Sequence, residues 1–404
     1  MKNAINEIQA EIESLKSKGT YKEITVLTGA MGPVVRLDDG REVVNLCSNN
    51  YLGLANHPEV VAGAKMALEQ YGNGTASVRF ICGTFKIHLE LEAAIADFTG
   101  MQRAATYVSC WNANEALVPT LLREGDAVIS DELNHASIID ACRLCGKKVN
   151  RYVYRHSDMN DLERCLKEAK AAGRTLVITD GVFSMEGDLA NLPAIVDLAR
   201  QYDALVAVDD SHAHGVVGRT GRGTTEYFGV QVDIITGTLG KALGGAAGGF
   251  VAASEPIIEF LMQRSRPQLF SNALPPATSG AALAALGVLK REPHKVGHLQ
   301  ENVSYLRNGL RNLGYNVVQS PSAILPIIVG ETKLAIRLAR QILQQGVLIT
   351  GFGYPVVPEG TARLRAQVSS SHTRGHLDKV LDVFSNFKDE ALLQKNCTFS
   401  KNND

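Results

Sequence analysis

The stretch Leu205-Val-Ala-Val-Asp-Asp-Ser-His212 decides the fold, because four apolar residues in a row end on two acids, a serine and a histidine. A short, continuously apolar run is typical of a strand covered on both faces, as in a parallel sheet. Five further runs share this character: Ala104–Val108, Ala127–Ser130, Leu176–Thr179, Asp233–Thr236 and Gly249–Ala252. Helical patterns alternate with these runs, for example from Asp158 to Gly173 and from Asn191 to Tyr202. The alternation predicts an α/β fold with a mostly parallel sheet.

Polar side chains follow several of these predicted strands. Ligands on such sheets gather at the carboxyl ends of the strands, because the ends of parallel strands meet at one edge. Asp180, Ser184, Asp209 and His212 lie at or just beyond such ends. We therefore expect these four side chains to line a common crevice.

Lys241 lies in the glycine-rich run Gly237-Thr-Leu-Gly-Lys-Ala-Leu-Gly-Gly245, downstream of Asp209 and His212. A lysine amine can form a Schiff base with the aldehyde of pyridoxal phosphate (PLP). A carboxylate beside the pyridine nitrogen keeps that ring protonated and electron-withdrawing. The run is no phosphate-binding P-loop, because the spacing is too short and Ala242 replaces the required Ser or Thr. Taken alone, Lys241 would be interpreted as a surface residue, but its combination with Asp209 and His212 favours a PLP site.

The bulk composition excludes several classes of protein. The chain has 404 residues, 45% of them apolar and 21% charged, which indicates a soluble globular protein of roughly two or three domains. A net charge of −1 and a pI of about 6.8 argue against binding to nucleic acid or to an anionic membrane. The N-terminus lacks a secretory signal, and no stretch approaches the ~18 apolar residues of a membrane span. Seven scattered cysteines predict reduced thiols and a cytoplasmic location.

The chain is predicted to divide into an N-terminal helix and arm (1–47), a large domain (48–285) and a smaller C-terminal α+β domain (286–404). The last third contains a long amphipathic helix through Leu299, Val303, Leu306, Leu310 and Leu313. Strands are expected near Ile324–Val329, Val347–Thr350 and Leu364–Val368. The polar tail after Phe387 has no functional interpretation and is expected to be partly disordered.

With these motifs in order, the chain resembles the α-oxoamine synthase family of PLP enzymes of fold type I. The resemblance extends from Ser48-Asn-Asn-Tyr-Leu-Gly-Leu to Ser370-Ser-His372. Between them lie Ser77-Val-Arg-Phe-Ile-Cys-Gly-Thr84, Ser130-Asp-Glu-Leu-Asn-His-Ala-Ser-Ile-Ile-Asp140, Thr179-Asp-Gly-Val-Phe-Ser-Met185 and Arg264-Ser-Arg-Pro. The resemblance implies the PLP-dependent transferase fold, whose large domain has a mostly parallel seven-stranded sheet.

The resemblance also implies the cofactor site. Lys241 would hold PLP and later act as the base, Asp209 would pair with the pyridine nitrogen, and His212 with the phenolic oxygen. His135 would stack on the ring, and Ser184 would hydrogen bond either on the cofactor side or on the histidine side. The remaining implied residues contact the phosphate: Cys110 and Trp111 ahead of a helix Asn112–Leu122, Thr238, and Ser271 and Asn272 from the second subunit of a homodimer with shared active sites.

A guanidinium is the expected partner of a substrate carboxylate, because it binds a carboxylate bidentately. Arg363 and Arg365 lie two apart on a predicted strand and face the same way, so spacing cannot choose between them. The resemblance selects Arg365 and adds Asn49 as a second carboxylate contact. It implies condensation of glycine with acetyl-CoA, in threonine breakdown. The alternative is a sister reaction such as that of alanine with pimeloyl-CoA, or another pair of amino acid and acyl-CoA.

Other conspicuous residues receive plainer interpretations. No metal site is predicted: Cys142-Arg-Leu-Cys145 is interpreted as helix packing, and His372 with His376 as a solvated helix start. His214 and Trp111 depart from the residues usual in the family. Both are predicted to lie near the pocket, where either could alter the preference for the acyl group.

Overall fold

The computed structural model describes residues 2–389. The predicted disorder of the tail falls mostly on residues 390–404, which lie outside the described residues. The fourteen strands within this range are β1 Val34–Arg36, β2 Glu42–Asn45, β3 Arg103–Tyr107, β4 Ala127–Asp131, β5 Asn150–Tyr154, β6 Thr175–Asp180, β7 Leu205–Asp209, β8 Ile234–Thr238, β9 Gly249–Ala253, β10 Asn316–Val317, β11 Ile324–Gly330, β12 Val347–Leu348, β13 Thr350–Phe352 and β14 Ala362–Gln367.

The α-helices of the described residues alternate with these strands through the middle of the chain. They are α1 Lys2–Ser17, α2 Pro58–Tyr71, α3 Lys86–Thr99, α4 Cys110–Leu121, α5 Ala136–Leu144, α6 Met159–Glu168, α7 Leu192–Gln201, α8 Thr224–Phe228, α9 Glu255–Arg264, α10 Arg266–Phe270, α11 Pro276–Arg291, α12 His294–Asn312, α13 Thr332–Gln344 and α14 Arg374–Ser385.

Seven strands form the central sheet in the order β3-β9-β8-β7-β6-β4-β5. All neighbours from β8 to β5 pair in parallel, whereas β9 runs antiparallel to both β3 and β8. The predicted α/β fold with a mostly parallel seven-stranded sheet is therefore confirmed. The six apolar runs all form strands of this sheet. The seventh, β5, is mostly exposed along its length, so no apolar run in the sequence indicated it.

Alternate residues of the central strands pack into two different cores, one on each face of the sheet. Val208 and Phe250 belong to the larger core, which continues into the C-terminal helices. Ala207 and Val251 belong to a second core beneath α4, α5 and α9. Because Asp209 follows Ala207 with a period of two, its side chain points to the face that carries α4. This alternation places Asp209, the last residue of β7, beside the start of a helix.

The C-terminal part builds a second sheet, of order β10-β11-β14-β13, in which all three pairings are antiparallel. The predicted strand Val347–Thr350 is split at Ile349. Its first half, β12, pairs in parallel with β2 of the N-terminal arm, and its second half joins β14 through β13. The N-terminal arm thus shares a three-stranded sheet with the C-terminal part. The domain boundaries given above stay a prediction.

No helix among the described residues is both long and apolar enough to cross a membrane. Six cysteines lie within residues 2–389, and all six are free thiols. Cys142 is buried in α5 and Cys145 caps the end of that helix, so this pair serves packing, as predicted.

The helices α2 and α11 cross at two glycines, Gly63 and Gly280. A Cβ atom on Gly280 would lie 2.4 Å from the carbonyl oxygen of Gly63, so even one methyl group must push the helices apart. We expect Gly280→Ala to lower the free energy of unfolding by about 1–3 kcal/mol. Gly287→Ala is the matched control on the same helix, because its Cβ would meet only the end of the Arg291 side chain, at 3.4 Å.

The control is expected to change stability in the opposite direction. Replacing a helical glycine by alanine favours the helix by roughly 0.8–1 kcal/mol where space allows. Denaturant unfolding followed by circular dichroism measures both variants against the parent chain. Equal effects of the two substitutions would contradict the close helix crossing.

Candidate active site

Asp209 lies buried at the carboxyl end of β7 and forms the floor of the crevice. One of its oxygens, Oδ2, accepts a hydrogen bond from Asn114 Nδ2 at 2.7 Å, and Oδ1 accepts from the backbone N–H of Ser211 at 2.9 Å. Burial alone would raise the pKa of Asp209, but the hydrogen bonds from Ser211 and Asn114 and the charge of Lys241 outweigh it and lower the pKa. The carboxylate is therefore held ionised at this buried position.

The helix α4 begins beside this carboxylate. Ser109 is its N-cap and accepts a hydrogen bond from Asn112 N at 3.2 Å, so Cys110 and Trp111 form the first turn of the helix. The prediction that these two residues precede the helix is wrong, because Ser109 is the better capping residue. The correction leaves their amides as helix-start donors without intrahelical partners. The Sγ atom of Cys110 lies 3.6 Å from Asp209 Oδ2.

Lys241 is half-buried in the loop after β8, and several charges of the crevice act on its amine. Burial lowers the pKa of Lys241, the carboxylates of Asp209 and Asp180 raise it in opposition, and Arg365 lowers it further. The net effect is a lowered pKa, which increases the fraction of neutral amine. A neutral amine is the form that attacks an aldehyde or accepts a proton.

His212 faces Lys241 from the loop after β7. Its Nδ1 atom lies 2.8 Å from the hydroxyl of Tyr51, which also donates to Asn49 Oδ1 at 3.2 Å. Burial, followed by the charges of Lys241 and Arg365, lowers the pKa of His212 well below its usual value. The imidazole is therefore neutral near pH 7. Its Nε2 atom makes no hydrogen bond to the part of the chain that is described, so it remains available to a bound molecule.

His135 caps the start of α5 and is largely exposed in the single chain. Its backbone N–H donates to Asp180 Oδ2 at 2.8 Å, and its Nδ1 atom lies 2.8 Å from the hydroxyl of Ser137. The edge-on ring of Trp111 is 5.8 Å away between centroids. These contacts fix the imidazole plane at the mouth of the crevice, where it can stack on a flat molecule.

The two arginines of β14 have different surroundings, which spacing alone could not reveal. Arg363 is buried and already neutralised, with Nη1 at 3.1 Å from Glu186 Oε1 and 2.8 Å from the carbonyl of Met185. Arg365 is half-buried, donates from Nη1 to the carbonyl of Ser184 at 3.0 Å, and pairs with no acid among residues 2–389. Only Arg365 therefore offers an uncompensated positive charge to a carboxylate.

Gln367 lies two residues further along β14 and connects Arg365 to the N-terminal arm. The amide is oriented with its oxygen toward the guanidinium, because this satisfies both ends of the group. It then accepts from Arg365 Nη2 at 2.7 Å and donates to the carbonyl of Leu46 at 2.7 Å. Its side chain also lies 3.1 Å from Asn49 Oδ1. The guanidinium rests on the ring of Phe352, 4.7 Å from the centroid.

Of the remaining predicted residues, Thr238 and Ser184 lie beside the residues described above, whereas no hydrogen bond joins Ser271 or Asn272 to them in the described part of the chain. Thr238 ends β8 beside Lys241, and its Oγ1 donates to the carbonyl of Gly248 at 3.2 Å, next to the start of α4. Ser184 contacts Arg365 through its carbonyl, as described above. Ser271 and Asn272 lie after α10, and within the described range they make no hydrogen bond to the other candidate residues. The backbone of Asn272 pairs with that of Val78.

The candidate residues around Asp209 and Lys241 fit PLP. The first turn of α4 and Thr238 suit a phosphate, because helix-start amides point at an anion. Gly249 keeps this cradle open, since a Cβ there would lie 2.2 Å from Cys110 N. The ionised Asp209 suits a protonated ring nitrogen, Lys241 an aldehyde, and Nε2 of His212 a phenolic oxygen. Their roles as cofactor ligands remain proposals that rest on this fit.

Some residues singled out in the sequence lie elsewhere. His372 is buried and fully engaged, with Nε2 at 3.1 Å from the carbonyl of Asn45 and Nδ1 accepting from Ser369 N at 3.0 Å, so its interpretation as solvated is wrong. His214 is also buried, between Phe98 and Phe250, and does not line the crevice. Its ring occupies the core on the opposite face of the sheet from Asp209.

One group of side chains among the described residues has the spacing of metal ligands: His57, Glu59 and Glu292. Both of its acids already have a cation as partner, Arg291 for Glu59 and Lys295 for Glu292. The group lies where α2 begins and α11 ends. It is separate from the crevice.

Three functional neighbours escaped the sequence analysis: Asn114, Tyr51 and Gln367. Asn114 lies one helical turn after Cys110, so the period of α4 could have indicated that it faces Asp209. Gln367 continues the period-two row of Arg363 and Arg365 along β14. Tyr51 occurs in a quoted motif, but its contact with His212 joins distant parts of the chain and has no local signal.

The comparison with known families agrees with this geometry. The family model described as aminotransferase class I and II matches residues 41–384. The chain belongs to the class I and II aminotransferase family. Within it, the relatives place the chain among the α-oxoamine synthases, which confirms the resemblance read from the motifs.

Two curated relatives cover nearly the whole chain of this aminotransferase-family member. The 2-amino-3-ketobutyrate coenzyme A ligase of Escherichia coli K12 is 48% identical over 93% of this chain and 95% of its own length. The 8-amino-7-oxononanoate synthase of Thermoanaerobacter pseudethanolicus is 45% identical over the same shares. A solved serine palmitoyltransferase from S. paucimobilis, a lysine-to-alanine variant with a bound PLP–myriocin aldimine, is 30% identical with a TM-score of 0.90, covering 96% of this chain and 98% of its own.

The charge of Asp209 can be tested without altering its shape. Asp209→Asn is expected to slow the exchange of the α-proton of glycine in D2O by roughly 10²-fold or more, because a neutral amide no longer stabilises a protonated ring. The visible absorbance band of the PLP-loaded protein should persist. Asp210→Asn is the matched control, since Asp210 is also buried but bonds to Thr224, at 2.7 Å and 2.8 Å. Equal exchange rates in the parent chain and Asp209→Asn would contradict the assigned role.

Proposed function

We propose that this chain condenses glycine with acetyl-CoA to give 2-amino-3-ketobutyrate and free CoA, with PLP as its cofactor. The observation that carries the proposal is the convergence of Asp209, Lys241 and Arg365 on one crevice. This convergence supplies a partner for the cofactor ring, an amine and a free guanidinium side by side. The 48% identity to the E. coli ligase over most of both chains supports the choice of substrates.

The site residues act first by positioning. Arg365 binds the glycine carboxylate through its guanidinium, and Asn49 supplies a second polar contact beside it. Holding the carboxylate determines which bond of the α-carbon stands perpendicular to the cofactor plane, and so which bond breaks. Asp209 keeps its negative charge at the floor, and His135 covers the open face. When bound, PLP supplies the electron-withdrawing ring that spreads the charge left on the α-carbon.

Lys241 then moves the proton. Its Nζ atom takes the α-proton of glycine, and the lowered pKa of Lys241, caused mainly by burial, keeps part of the amine neutral for this purpose. A carbon–carbon bond forms between the α-carbon and the thioester carbonyl carbon of acetyl-CoA. The carbon–sulfur bond breaks, and CoA leaves as a thiolate that takes up a proton. The proton balance closes because one proton leaves carbon and one reaches sulfur.

The sister reaction of alanine with pimeloyl-CoA is the second candidate. It is favoured by one specific observation, the 45% identity to an 8-amino-7-oxononanoate synthase over the same 93% of the chain. Both reactions use the same carboxylate contact, base and ring partner. They differ in the side chain on the amino acid, in the length of the acyl group and in the fate of the carboxylate, because the nine-carbon chain of 8-amino-7-oxononanoate requires that the alanine carboxylate leaves as CO2. A substrate panel therefore separates them.

The panel measures release of free thiol from acetyl-, succinyl-, pimeloyl- and palmitoyl-CoA, each with glycine, alanine or serine, on PLP-loaded protein. We expect release from acetyl-CoA with glycine to exceed every other pair by roughly tenfold or more, as discrimination of about 1–3 kcal/mol for a missing methylene allows. A preference for another pair would move the chain to a sister activity. No release that depends on an amino acid would refute condensation altogether.

We also propose that the protein acts as a homodimer in which Ser271 and Asn272 reach the phosphate of the partner's site. An exposed apolar patch lies beside these residues, with Phe80, Ile81 and Phe270 exposed to 65%, 68% and 73%. Arg79, which precedes Phe80 in the chain, is buried and forms an ion pair with Glu92 at 2.7 Å. Exposed apolar patches are typical of protein interfaces. The cytoplasmic location remains a prediction.

Shared sites can be tested by mixing two inactive chains. Lys241→Ala removes the base from its own site, and Asn272→Asp places a negative charge against the phosphate of the partner's site. Hybrid dimers contain one site in which both residues are native, so mixing is expected to restore glycine-dependent thiol release that neither variant shows alone. The control mixes each variant with itself. Absence of recovery, with hybrid dimers verified by mass spectrometry, would exclude shared sites.

A further inference from the structure

His156 lies between two carboxylates at the edge of the crevice, outside the machinery described above. Its Nδ1 atom is 3.0 Å from Asp131 Oδ1, and its Nε2 atom is 2.9 Å from Asp188 Oδ2. Ionised carboxylates only accept hydrogen bonds, so both ring nitrogens must carry hydrogen. The ring is therefore a doubly protonated imidazolium, which rests edge-on against Phe183 at 4.4 Å between centroids.

The first of these carboxylates organises the turn that carries His135. Asp131 ends β4, and its oxygens also accept from Leu133 N at 2.9 Å and Ser157 N at 3.1 Å. The turn continues through Asn134, whose Oδ1 accepts from the N–H of Asp180 at 2.7 Å, into the helix cap at His135. The imidazolium thus fixes the start of the segment that places His135 over the crevice.

The second carboxylate belongs to a hairpin formed by residues 181–190. The backbone of Val182 pairs with that of Leu189, and the N–H of Phe183 donates to the carbonyl of Asp188 at 3.0 Å. At its tip, the hairpin presents the carbonyl of Ser184 to Arg365. His156 therefore holds the hairpin at Asp188, directly beside the tip whose Ser184 carbonyl contacts the guanidinium that is to bind the substrate.

We propose that His156 is a positioning residue, which sets the place of Arg365 and His135 by tying the 181–190 hairpin and the 131–135 turn to one imidazolium. The proposal rests on the proposed function, in which Arg365 binds the amino acid carboxylate. A guanidinium in the wrong place weakens binding of the amino acid first, because the carboxylate is the part of the substrate that it contacts. Binding of acyl-CoA does not depend on this contact.

The charges around His156 agree with this role. Beyond Asp131 and Asp188, Glu132 accepts from the backbone N–H of His156 at 2.9 Å. Glu186 of the same hairpin is paired with Arg363, and the neighbouring Arg155 is paired with Asp158 at 2.7 Å. Burial alone would lower the pKa of His156, but the hydrogen bonds and charges of Asp131 and Asp188 raise it to about 10.

The sign of the pH dependence follows from this raised pKa. The stabilisation by the imidazolium is fully present below the ordinary histidine pKa of about 6.5. It is lost as the pH rises through about 10, where the folded protein releases the proton. Asp188 Oδ1 is buried without a partner among the described residues, so loss of the imidazolium leaves this carboxylate poorly compensated.

The test compares His156→Gln with the parent holoenzyme in steady-state thiol release. The amide is neutral and cannot donate to both carboxylates, so the hairpin loses one of its ties. We expect KM for glycine to rise by about tenfold and KM for acetyl-CoA to change by less than about twofold, because small displacements of a binding group act on the bound partner. Arg365→Gln is the reference for complete loss of the contact and should raise KM for glycine further.

His298→Gln is the matched control, because His298 is exposed and pairs, at 3.5 Å, with Glu301 of its own helix. It should leave both KM values unchanged. A second readout is the melting temperature between pH 7 and 10, which should fall more steeply in the parent than in His156→Gln. If His156→Gln does not fold, Asp188→Asn carries the same test, with a smaller rise in KM for glycine.

If His156→Gln loses activity while both KM values stay unchanged, the proposal is overturned. That result would indicate only that a smaller amount of the enzyme is folded. The proposed function fails separately, if the parent enzyme releases no thiol with glycine. Glycine affinity is then read from the visible absorbance of the PLP-loaded protein, which requires no turnover. Equal glycine affinity in the parent and His156→Gln would refute the positioning role on that readout also.

Discussion

The structure depends on keeping one carboxylate ionised inside a protein core. Asp209 achieves this through an amide from the start of α4, a backbone N–H from its own loop and the nearby ammonium group of Lys241. A buried charge without such partners would be too costly to retain. The fold must therefore bring α4 and the Lys241 loop close to the end of β7, because Asp209 needs the partners that they carry to remain charged.

The central sheet and its edge could be predicted because their signals are local. Runs such as Leu205–Val208 are apolar on both faces, and the polar residues that follow them lie at the carboxyl edge by the geometry of parallel strands. β5 lacked this signal, because an edge strand exposed along its length needs no apolar run. The start of α4 was predicted two residues late for a different reason: the N-cap Ser109 is a local signal in the sequence, and the helix begins directly after it, at Cys110.

Contacts between distant parts of the chain could not be predicted. Arg363 and Arg365 share a face of β14, and only the approach of the 181–190 hairpin neutralises one and leaves the other free. The spacing of His372 and His376 predicted a solvated helix start. The ring of His372 is instead buried, with its Nε2 atom beside the carbonyl of Asn45, more than three hundred residues earlier. In each case the deciding partner comes from another element, and its identity is absent from the local pattern.

The pairing of β2 with β12 has a consequence for the synthesis of the protein. Val44 aligns with Val347, so the N-terminal arm must wait for nearly the whole chain to leave the ribosome before its sheet can close. Arg365, the proposed carboxylate contact, and its neighbour Gln367 emerge later still. Contacts so distant in sequence form slowly, because a long loop must be ordered first. A nascent chain can therefore form the proposed phosphate site at the start of α4 before Arg365, the proposed contact of the amino acid carboxylate, has been synthesised.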